Sequence, residues 1–462
     1  MVNDQDAPQI LNVFLHDRFA GVLSYDGSIY QFTYDDLYLQ QTDALPLSLS
    51  LPLHKDPQRG AFGGKQLPPY FFHLLPEGWL LSLAKSLKMP VSHPMDLLSL
   101  LVVETIGAIR ILQTTSIAPR QPTTPDMEPL MFDADPAGAA VFVKKHKQCL
   151  YCGAPLVSPG LNDNYHPKCS TALFGSAKTP RLTIDRSRIR EVASAQLGRG
   201  ESLTGVQEKF SLKHRKDRTT IAAPLSSFVA KPQPLTPDLS ELSNLEGAYM
   251  LFARMLDLPV ARSGIIYLAD GTPCFISRRF DLSDHGQRIH QEDLAAPLGR
   301  YNKYESSHEG IANLLVANTS IAEDRNHQDR VNFLKMTLFN FLLGNTDAHL
   351  KNFALFHTLE KAGPAHRLTP FYDIFPSLLY APRDTDELGL SLVNRKNRFT
   401  KKDFQTLASR LQLGARSVSA FVKRFKDSRD ALIQALDAYE VTQPRQYAVL
   451  DLAKRRLDQL ND

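Results

Sequence analysis

An aspartate followed five positions later by an asparagine, Asp347 and Asn352, stands in the stretch Asn345-Thr346-Asp347-Ala348-His349-Leu350-Lys351-Asn352-Phe353, directly after a strongly apolar run at helical spacing. This is the spacing of a phosphoryl-transfer loop, in which the carboxylate accepts the proton of an attacking hydroxyl and the amide holds a magnesium ion. Twenty-one residues past Asn352, in Phe371-Tyr372-Asp373-Ile374-Phe375, Asp373 offers a second hard oxygen donor where such sites keep their other magnesium ligand. Upstream, Lys231 ends the apolar run Phe228-Val229-Ala230, and Glu246 follows fifteen residues later on the first turns of an amphipathic segment. A strand lysine oriented by a helix carboxylate can contact nucleotide phosphates. Earlier still, Ser202 and Leu203 lead into Thr204, Gly205, Val206, Gln207, Glu208 and Lys209, just before a strand. Small residues and a glycine there let backbone N–H groups approach phosphate oxygens. Each piece alone has a plain reading: a polar helix cap, a solvated lysine, a loop without the G-x-G-x-x-G pattern. Their order along the chain, loop, lysine, glutamate, Asp/Asn pair and second aspartate, is what points to phosphoryl transfer from ATP with Mg2+.

A second constellation is Cys149-x2-Cys152 followed, after thirteen intervening residues, by His166-x2-Cys169. Two close chelating pairs separated by a short loop suit tetrahedral Zn2+, and four protein ligands leave no open position for water, so such a site would be structural. The plain alternative is buried thiols beside a surface histidine. Cys274, alone in a strand-like run, reads as a small core residue. His349, between the two loop residues, is expected to brace the loop through hydrogen bonds of its ring. Gly63-Gly64-Lys65 lacks the hydroxyl and upstream glycine of a phosphate loop, and Trp79 reads as packing.

The elements that must position these groups follow from hydrophobic periodicity. Residues 11–15, 21–25 and 29–34 read as strands, with Asp26-Gly27 as a hairpin turn. Helical spacing is expected over 70–87 and again over 95–103, then a strand over 109–112. Prolines 119, 122, 125 and 129 mark a break between domains. Short strands are expected over 209–212, 228–231, 265–268 and 274–276, interrupted by a helix over 244–256 with Leu245, Ala248, Phe252 and Met255 on one face. Beyond 300 the pattern reads as almost wholly helical, with segments at 331–342, 403–412, 418–438 and 445–460.

Length and composition bound the answer. With 462 residues, 43% hydrophobic and 22% charged, the chain has room for two or three domains and no need of disorder. Lys plus Arg, 53, exceed Asp plus Glu, 49, by four, too small an excess for a nucleic-acid surface. Four cysteines suit a reducing compartment or a metal better than a disulfide framework. The first eight residues are polar and acidic, and the apolar runs fall short of the roughly 20 residues of a membrane span. A cytoplasmic protein with no membrane association is expected.

The segments 202–209, 345–353 and 369–373, with Leu74-Leu75-Pro76-Glu77-Gly78 and Ile106-Gly107-Ala108, resemble those of the HipA family, bacterial toxin kinases that phosphorylate serine or threonine. The resemblance covers roughly 10–112 and 195–435. It implies an α+β, protein-kinase-like two-lobed fold, with a small β-rich lobe and a large helical lobe, preceded by a small α+β N-terminal domain. The boundaries would then be 1–115 for the N-terminal domain, 116–145 for a proline-rich linker, 146–180 for the zinc-binding knuckle, 181–300 for the small lobe and 301–462 for the helical lobe. It further implies Asp347 as catalytic base, Asn352 and Asp373 as magnesium ligands, Lys231 and 204–209 as phosphate contacts, and Glu246 as the partner of Lys231. Gln291, Glu292, Asp293 and Leu294 resemble the segment that meets the adenine, and Ser202 sits where family members autophosphorylate, with Thr204 a second hydroxyl nearby. Implied partners are a protein substrate, typically an aminoacyl-tRNA synthetase or another translation factor, and a HipB-like helix-turn-helix antitoxin that brings DNA only indirectly. Glu104-Thr105-Ile106 departs from the family's acidic, glycine-containing turn. Two other readings stay open at this point: a catalytically silent kinase-like module that binds nucleotide or an antitoxin, and a small-molecule or lipid kinase, which shares this lobe order.

Overall fold

β-Branched and aromatic residues alternate in the first segments and build an antiparallel sheet: β1 (Gln9–Leu15), β2 (Arg18–Tyr25), β3 (Tyr30–Tyr34), β4 (Ala61–Gly64) and β5 (Ile109–Gln113), in the order β4-β3-β2-β1-β5. The computed structural model describes residues 8–54, 61–100, 106–113, 144–156, 164–182, 184–198, 207–214, 219–221, 227–283, 285–318, 323–360, 363–381 and 385–461. The β2–β3 turn forms at Asp26-Gly27 as expected, with the Asp26 carboxylate accepting the Ser28 and Ile29 N–H groups at 2.9 and 2.8 Å. Helices α1 (Asp36–Leu39), α2 (Pro69–Leu74), α3 (Gly78–Ser86) and α4 (Pro94–Ser99) flank this sheet. Phe32, Tyr38 and Phe71 are fully buried in the core there. The single helix expected over 70–87 is two, because Pro76 cannot continue α2 and Gly78 restarts the chain at φ +55°. The last part of the helix expected over 95–103 lies outside the described residues beyond 100, as do most of the proline-rich segment and the whole of 199–206.

A second antiparallel sheet follows α5 (Pro167–Phe174) and α6 (Ile189–Gly198). It comprises β6 (Phe210–His214), β7 (Thr219–Ile221), β8 (Phe228–Pro232), β9 (Ser263–Tyr267) and β10 (Pro273–Arg278), in the order β7-β6-β8-β10-β9. Helix α7 (Leu242–Met255) packs against β9 and β10, and its apolar residues are covered nearly all round. The chain then departs from the almost wholly helical pattern expected beyond 300. Strand β11 (His290–Asp293) pairs with β12 (Ala354–Glu360), which pairs with β13 (Gly363–Leu368), a three-stranded antiparallel sheet amid the helices. Ala354-Leu355-Phe356 is a continuous apolar run and β13 opens on Gly363-Pro364, so neither segment alternates cleanly, and the pairing with β11, some sixty residues upstream, decides. The rest is helical: α8 (His308–Asn318), α9 (Glu323–Leu343), α10 (Ser377–Tyr380), α11 (Lys401–Arg410), α12 (Arg416–Asp427), α13 (Arg429–Ala438) and α14 (Gln443–Gln459). The segment 418–438 breaks into two helices at Ser428. Among the described residues no helix is long and apolar enough to cross a membrane.

The N-terminal sheet is docked on β11. Gly107, at φ +77°, lies so close that a Cβ would meet the Gln291 backbone at 3.0 Å, and its N–H donates to Asp281 at 2.8 Å. A Gly107→Ala chain should therefore lose about 1–3 kcal/mol of stability, read as a lower urea midpoint.

Candidate active site

Lys231, in the middle of the second sheet on β8, is 9% exposed and stands over the Phe275 ring of β10. Its ammonium donates to Glu246 at 2.8 Å and to Asp373 at 2.5 Å. Glu246 reaches it from the inner face of α7 and is 1% exposed. Burial opposes the charge on Lys231, yet Asp373 and Glu246 together hold its ammonium above the ordinary range. Burial likewise pushes Asp373 up, but Lys231 outweighs it and keeps the carboxyl well below the usual carboxylate range. On Glu246 burial wins and raises the carboxyl to about 7, the attraction of Lys231 offsetting only part of the effect.

Asp373 sits at φ +59°, a conformation aspartate tolerates better than most side chains. Its second oxygen accepts the Asn352 amide at 3.1 Å. Asn352 closes a short 3-10 turn over Leu350–Asn352, its amide oxygen accepting the His349 N–H at 3.0 Å. The Asp373 carboxylate is a hard oxygen donor of the kind a magnesium ion takes, while Asn352 turns its amide nitrogen to it and its oxygen to the His349 N–H.

Asp347 follows the end of α9 through a left-handed Gly344. The hydroxyl of Ser377 accepts the N–H groups of Thr346 and Asp347 at 2.7 and 3.0 Å and so fixes the turn. The Asp347 carboxylate accepts the phenol of Tyr304 at 2.5 Å. Burial raises its pKa against that hydrogen bond, with the charge of Asp373 adding, which makes it a better proton acceptor than a solvated carboxylate. The ring of His349 lies edge-on to Tyr304, centroids 5.1 Å apart, and burial and Lys303 lower it to about 4. It is neutral at pH 7, and its backbone and Asn352, rather than a ring hydrogen bond of Nδ1, brace the loop.

Lys231, Glu246, Asp347, Asn352 and Asp373 line one cavity of about 640 Å³, and Gln207, Glu208 and Lys209 line it too. Ser202, Thr204, Gly205 and Val206 lie outside the described residues. Burial and neighbouring Lys231 lower Lys209 to about 8. Of the segment expected beside an adenine, Gln291, Glu292 and Asp293 border the cavity. The Glu292 carboxylate, however, is committed elsewhere, accepting Ser48 Oγ at 2.5 Å, Leu49 N–H at 2.8 Å and meeting His357 Nε2 at 2.8 Å. Leu294 is fully buried, its N–H donating to the Leu350 and Phe353 carbonyls, so its side chain belongs to the core.

Four positioning residues were not apparent from spacing: Tyr304, Ser377, Lys351 and Glu77. Lys351 donates to Glu77 at 2.8 Å and to the His73 carbonyl at 3.2 Å, so α2 and the turn before α3 grip the loop between Asp347 and Asn352. Burial opposes the charge on Glu77, but Lys351 holds it below its usual range. Trp79 does more than pack within its own domain, since its indole N–H reaches Glu208 at 3.3 Å, and Glu208 also pairs with Arg186. Apart from this cavity, the ligand atoms of Cys149, Cys152, His166 and Cys169 all lie within 4.8 Å of one another. Cys274 is buried in β10, as expected.

Comparison with known proteins agrees with this arrangement. The HipA-like C-terminal domain matches residues 201–433, and the HipA N-terminal domain matches 11–112. Y4mE of Sinorhizobium fredii, a kinase by name, is 26% identical over 392 residues, covering 80% of this chain and 78% of its own. Y4dM of the same organism, also a kinase by name, is 29% identical over 237 residues, 47% of this chain and 55% of its own. A solved chain from the Shewanella oneidensis MR-1 toxin–antitoxin complex of HipA, HipB and operator DNA has a TM-score of 0.65 at 18% identity, covering 97% of this chain and 95% of that one. At that identity the likeness is one of fold, and it extends over both the N-terminal sheet and the two-part body that carries the cavity. With its C-terminal domain matched across half of its length and the N-terminal domain ahead of it, the chain belongs to the HipA family.

Proposed function

We propose that the chain is an ATP- and magnesium-dependent protein kinase that phosphorylates serine or threonine, and that it is the toxin of a toxin–antitoxin pair. The observation that carries this reading is the convergence of Lys231, Glu246, Asp347, Asn352 and Asp373 on one cavity between a β-rich part and a helical part, the arrangement of a protein-kinase-like two-lobed fold. The kinase names of its relatives support it.

Lys231, kept charged by its two carboxylates, holds the nucleotide phosphates, with Lys209 and the 204–209 loop beside it. Asn352 and Asp373 would hold Mg2+, which would supply positive charge to neutralise the phosphates. Asp347 positions the acceptor hydroxyl and takes its proton, while the acceptor oxygen bonds to the γ-phosphorus and the bond to the β-phosphate oxygen breaks. Phosphorylation at Ser202 or Thr204 would add about −1.5 to −2 charge beside the nucleotide phosphates and expel the loop, switching the enzyme off. The family and the Shewanella complex support a HipB-like helix-turn-helix antitoxin as partner, with DNA contacted through it. A translation factor such as an aminoacyl-tRNA synthetase is the substrate class that the family implies.

The test is incubation of purified protein with labelled ATP and Mg2+, alone and with cell extract, followed by mass spectrometry. Label on serine or threonine of the 199–206 region or of an extract protein is expected. Nucleotide binding without any transfer would defeat the reading.

Lys209 adds a pH dependence. Its charge in the nucleotide-free protein is lost as pH rises through about 8, and phosphate binding favours the charged form. ATP affinity should therefore weaken above pH 8, by at most about tenfold per pH unit. In Lys209→Gln that limb should flatten in a calorimetric titration.

A further inference from the structure

The cysteine knuckle has the geometry of a metal centre independent of the cavity. Its first pair sits on a tight turn: Gly153 N–H donates to the Cys149 carbonyl at 2.8 Å, and Cys149 N–H to the Ala154 carbonyl at 2.9 Å. Gly153 takes φ +74° there, a conformation that favours glycine, and it packs under the terminal methyl of Met255. The second pair straddles the start of α5, with His166 at its N-cap, Pro167 at its first position and Cys169 in its first turn.

The sulfurs and the imidazole converge. Cys152 Sγ lies 3.4 Å and Cys169 Sγ 3.9 Å from His166 Nδ1. Tetrahedral Zn2+, with Zn–S about 2.3 Å and Zn–N about 2.0–2.1 Å, holds its ligand atoms roughly 3.5–3.8 Å apart, so an ion fits with little movement. The other ring nitrogen, Nε2, lies 3.1 Å from the Pro155 carbonyl, which can only accept. The proton therefore belongs on Nε2, and the lone pair of Nδ1 is turned toward the sulfurs. A metal-bound histidine is oriented by this kind of outer hydrogen bond.

The knuckle also touches the elements that align Lys231. Arg254 of α7 donates to the Tyr151 carbonyl at 2.7 Å and lies over the Tyr151 ring at 4.1 Å. Gln434 of α13 donates to the Gly153 carbonyl at 2.7 Å, and the Tyr439 hydroxyl to that of Leu150 at 2.6 Å. Tyr165 exchanges hydrogen bonds with both backbone groups of Ile265 in β9, at 2.7 and 2.8 Å. Helix α7 is thus pinned from the knuckle to the sheet on one side and to α13 on the other, two turns beyond Glu246.

We propose that Cys149, Cys152, His166 and Cys169 bind one structural Zn2+, and that this ion holds the knuckle as a brace that fixes α7 and with it the Glu246–Lys231 pair. Four protein ligands close the coordination sphere, so the ion takes no part in chemistry. The metal site rests on its own geometry and does not depend on the kinase reading.

The test uses the full-length chain purified without added metal. Elemental analysis should give close to one zinc per chain, and replacement by Co2+ should give sulfur-to-cobalt charge-transfer bands and intense tetrahedral d–d bands. Zinc should be lost in Cys152→Ser, retained in Cys152→His, which keeps four ligands, and unaffected in Cys274→Ser. Should Cys152→Ser not fold, zinc released from wild type by an organomercurial is counted instead. Stripping the folded wild type with a strong chelator should speed amide exchange in α7 by about tenfold or more, reversed on adding zinc. Zinc below about a tenth per chain with no cobalt spectrum overturns the site, and unchanged exchange in α7 after stripping overturns the brace. A zinc-replete chain that transfers no phosphate would remove the kinase reading and leave the metal site standing.

Discussion

An Asp347→Asn chain is expected to bind Mg-ATP as wild type does and to transfer phosphate about 10²- to 10⁴-fold more slowly, the contribution of a positioned general base. The carboxylate lies on the cavity but makes no ion pair with Lys231, which is held instead by Glu246 and Asp373. Removing its charge should leave the phosphate-binding groups in place. The Tyr304 phenol can still donate to the amide oxygen of asparagine, and Ser377 holds the backbone of the turn, so the fold should survive. Single-turnover transfer with saturating ATP, beside calorimetric nucleotide binding, separates the two effects. Transfer at the wild-type rate would remove Asp347 as the base. Weakened binding with an unchanged rate at saturation would reassign it to nucleotide contact.

The second large effect is expected from Lys231→Met. Glu246 is nearly inaccessible and would be left with a buried carboxylate and no cation, a loss that typically costs about 3–5 kcal/mol. Asp373 loses the same partner but is better exposed and keeps the Asn352 amide, so most of the destabilisation should trace to Glu246. The double change Lys231→Met with Glu246→Gln should recover much of the stability and none of the activity, a non-additivity expected of contacting residues. The deficit should also depend on pH. Burial already raises Glu246 to about 7, and removing Lys231 raises it further. Wild type bears the same penalty as pH climbs from the unfolded value, about 4.5, to its folded value of about 7, so the gap between the two proteins opens as pH climbs beyond about 7 toward the higher folded value of the variant. The urea midpoint of Lys231→Met should therefore lie closest to wild type near pH 5.5 and furthest from it above pH 7.5. A deficit independent of pH, or undiminished in the double variant, would show that lost packing on Phe275 rather than an orphaned charge destabilises the chain.

What could be read in the sequence was local. Asp347 and Asn352 share one loop, and the two metal-type pairs, Cys149 with Cys152 and His166 with Cys169, each span a single turn, so chain spacing alone places their side chains together. Lys231 and Glu246 were legible because a strand and the helix after it have fixed periods. Glu77 was not, because it meets Lys351 across 274 residues, nor was Ser48, which meets Glu292 across 244. Those contacts exist only after the N-terminal sheet docks on β11, and no periodicity encodes docking. Tyr304 lies 43 residues from Asp347 in a segment of turns without a hydrophobic repeat. Strands β12 and β13 were hidden for a related reason: neither alternates cleanly, and their sheet partner β11 lies before the helices. Glu292 was legible as a position beside the cavity, but the direction of its side chain was decided by Ser48 and His357, one from each side of the interface.

The phenol at Asp347 bears on fidelity. Burial and the neighbouring carboxylate keep Tyr304 protonated far above neutral pH, so its hydroxyl is a standing donor in the place where an acceptor's hydroxyl must arrive. Displacing one charge-assisted hydrogen bond costs about 1.5–3 kcal/mol, or roughly 10- to 100-fold in occupancy. Water, which brings nothing else to the site, bears that cost in full. A serine or threonine carried on a bound protein can offset it with contacts elsewhere. The same hydrogen bond that orients the base thus discriminates against solvent, and under the kinase reading it spares ATP from idle hydrolysis between encounters with a substrate.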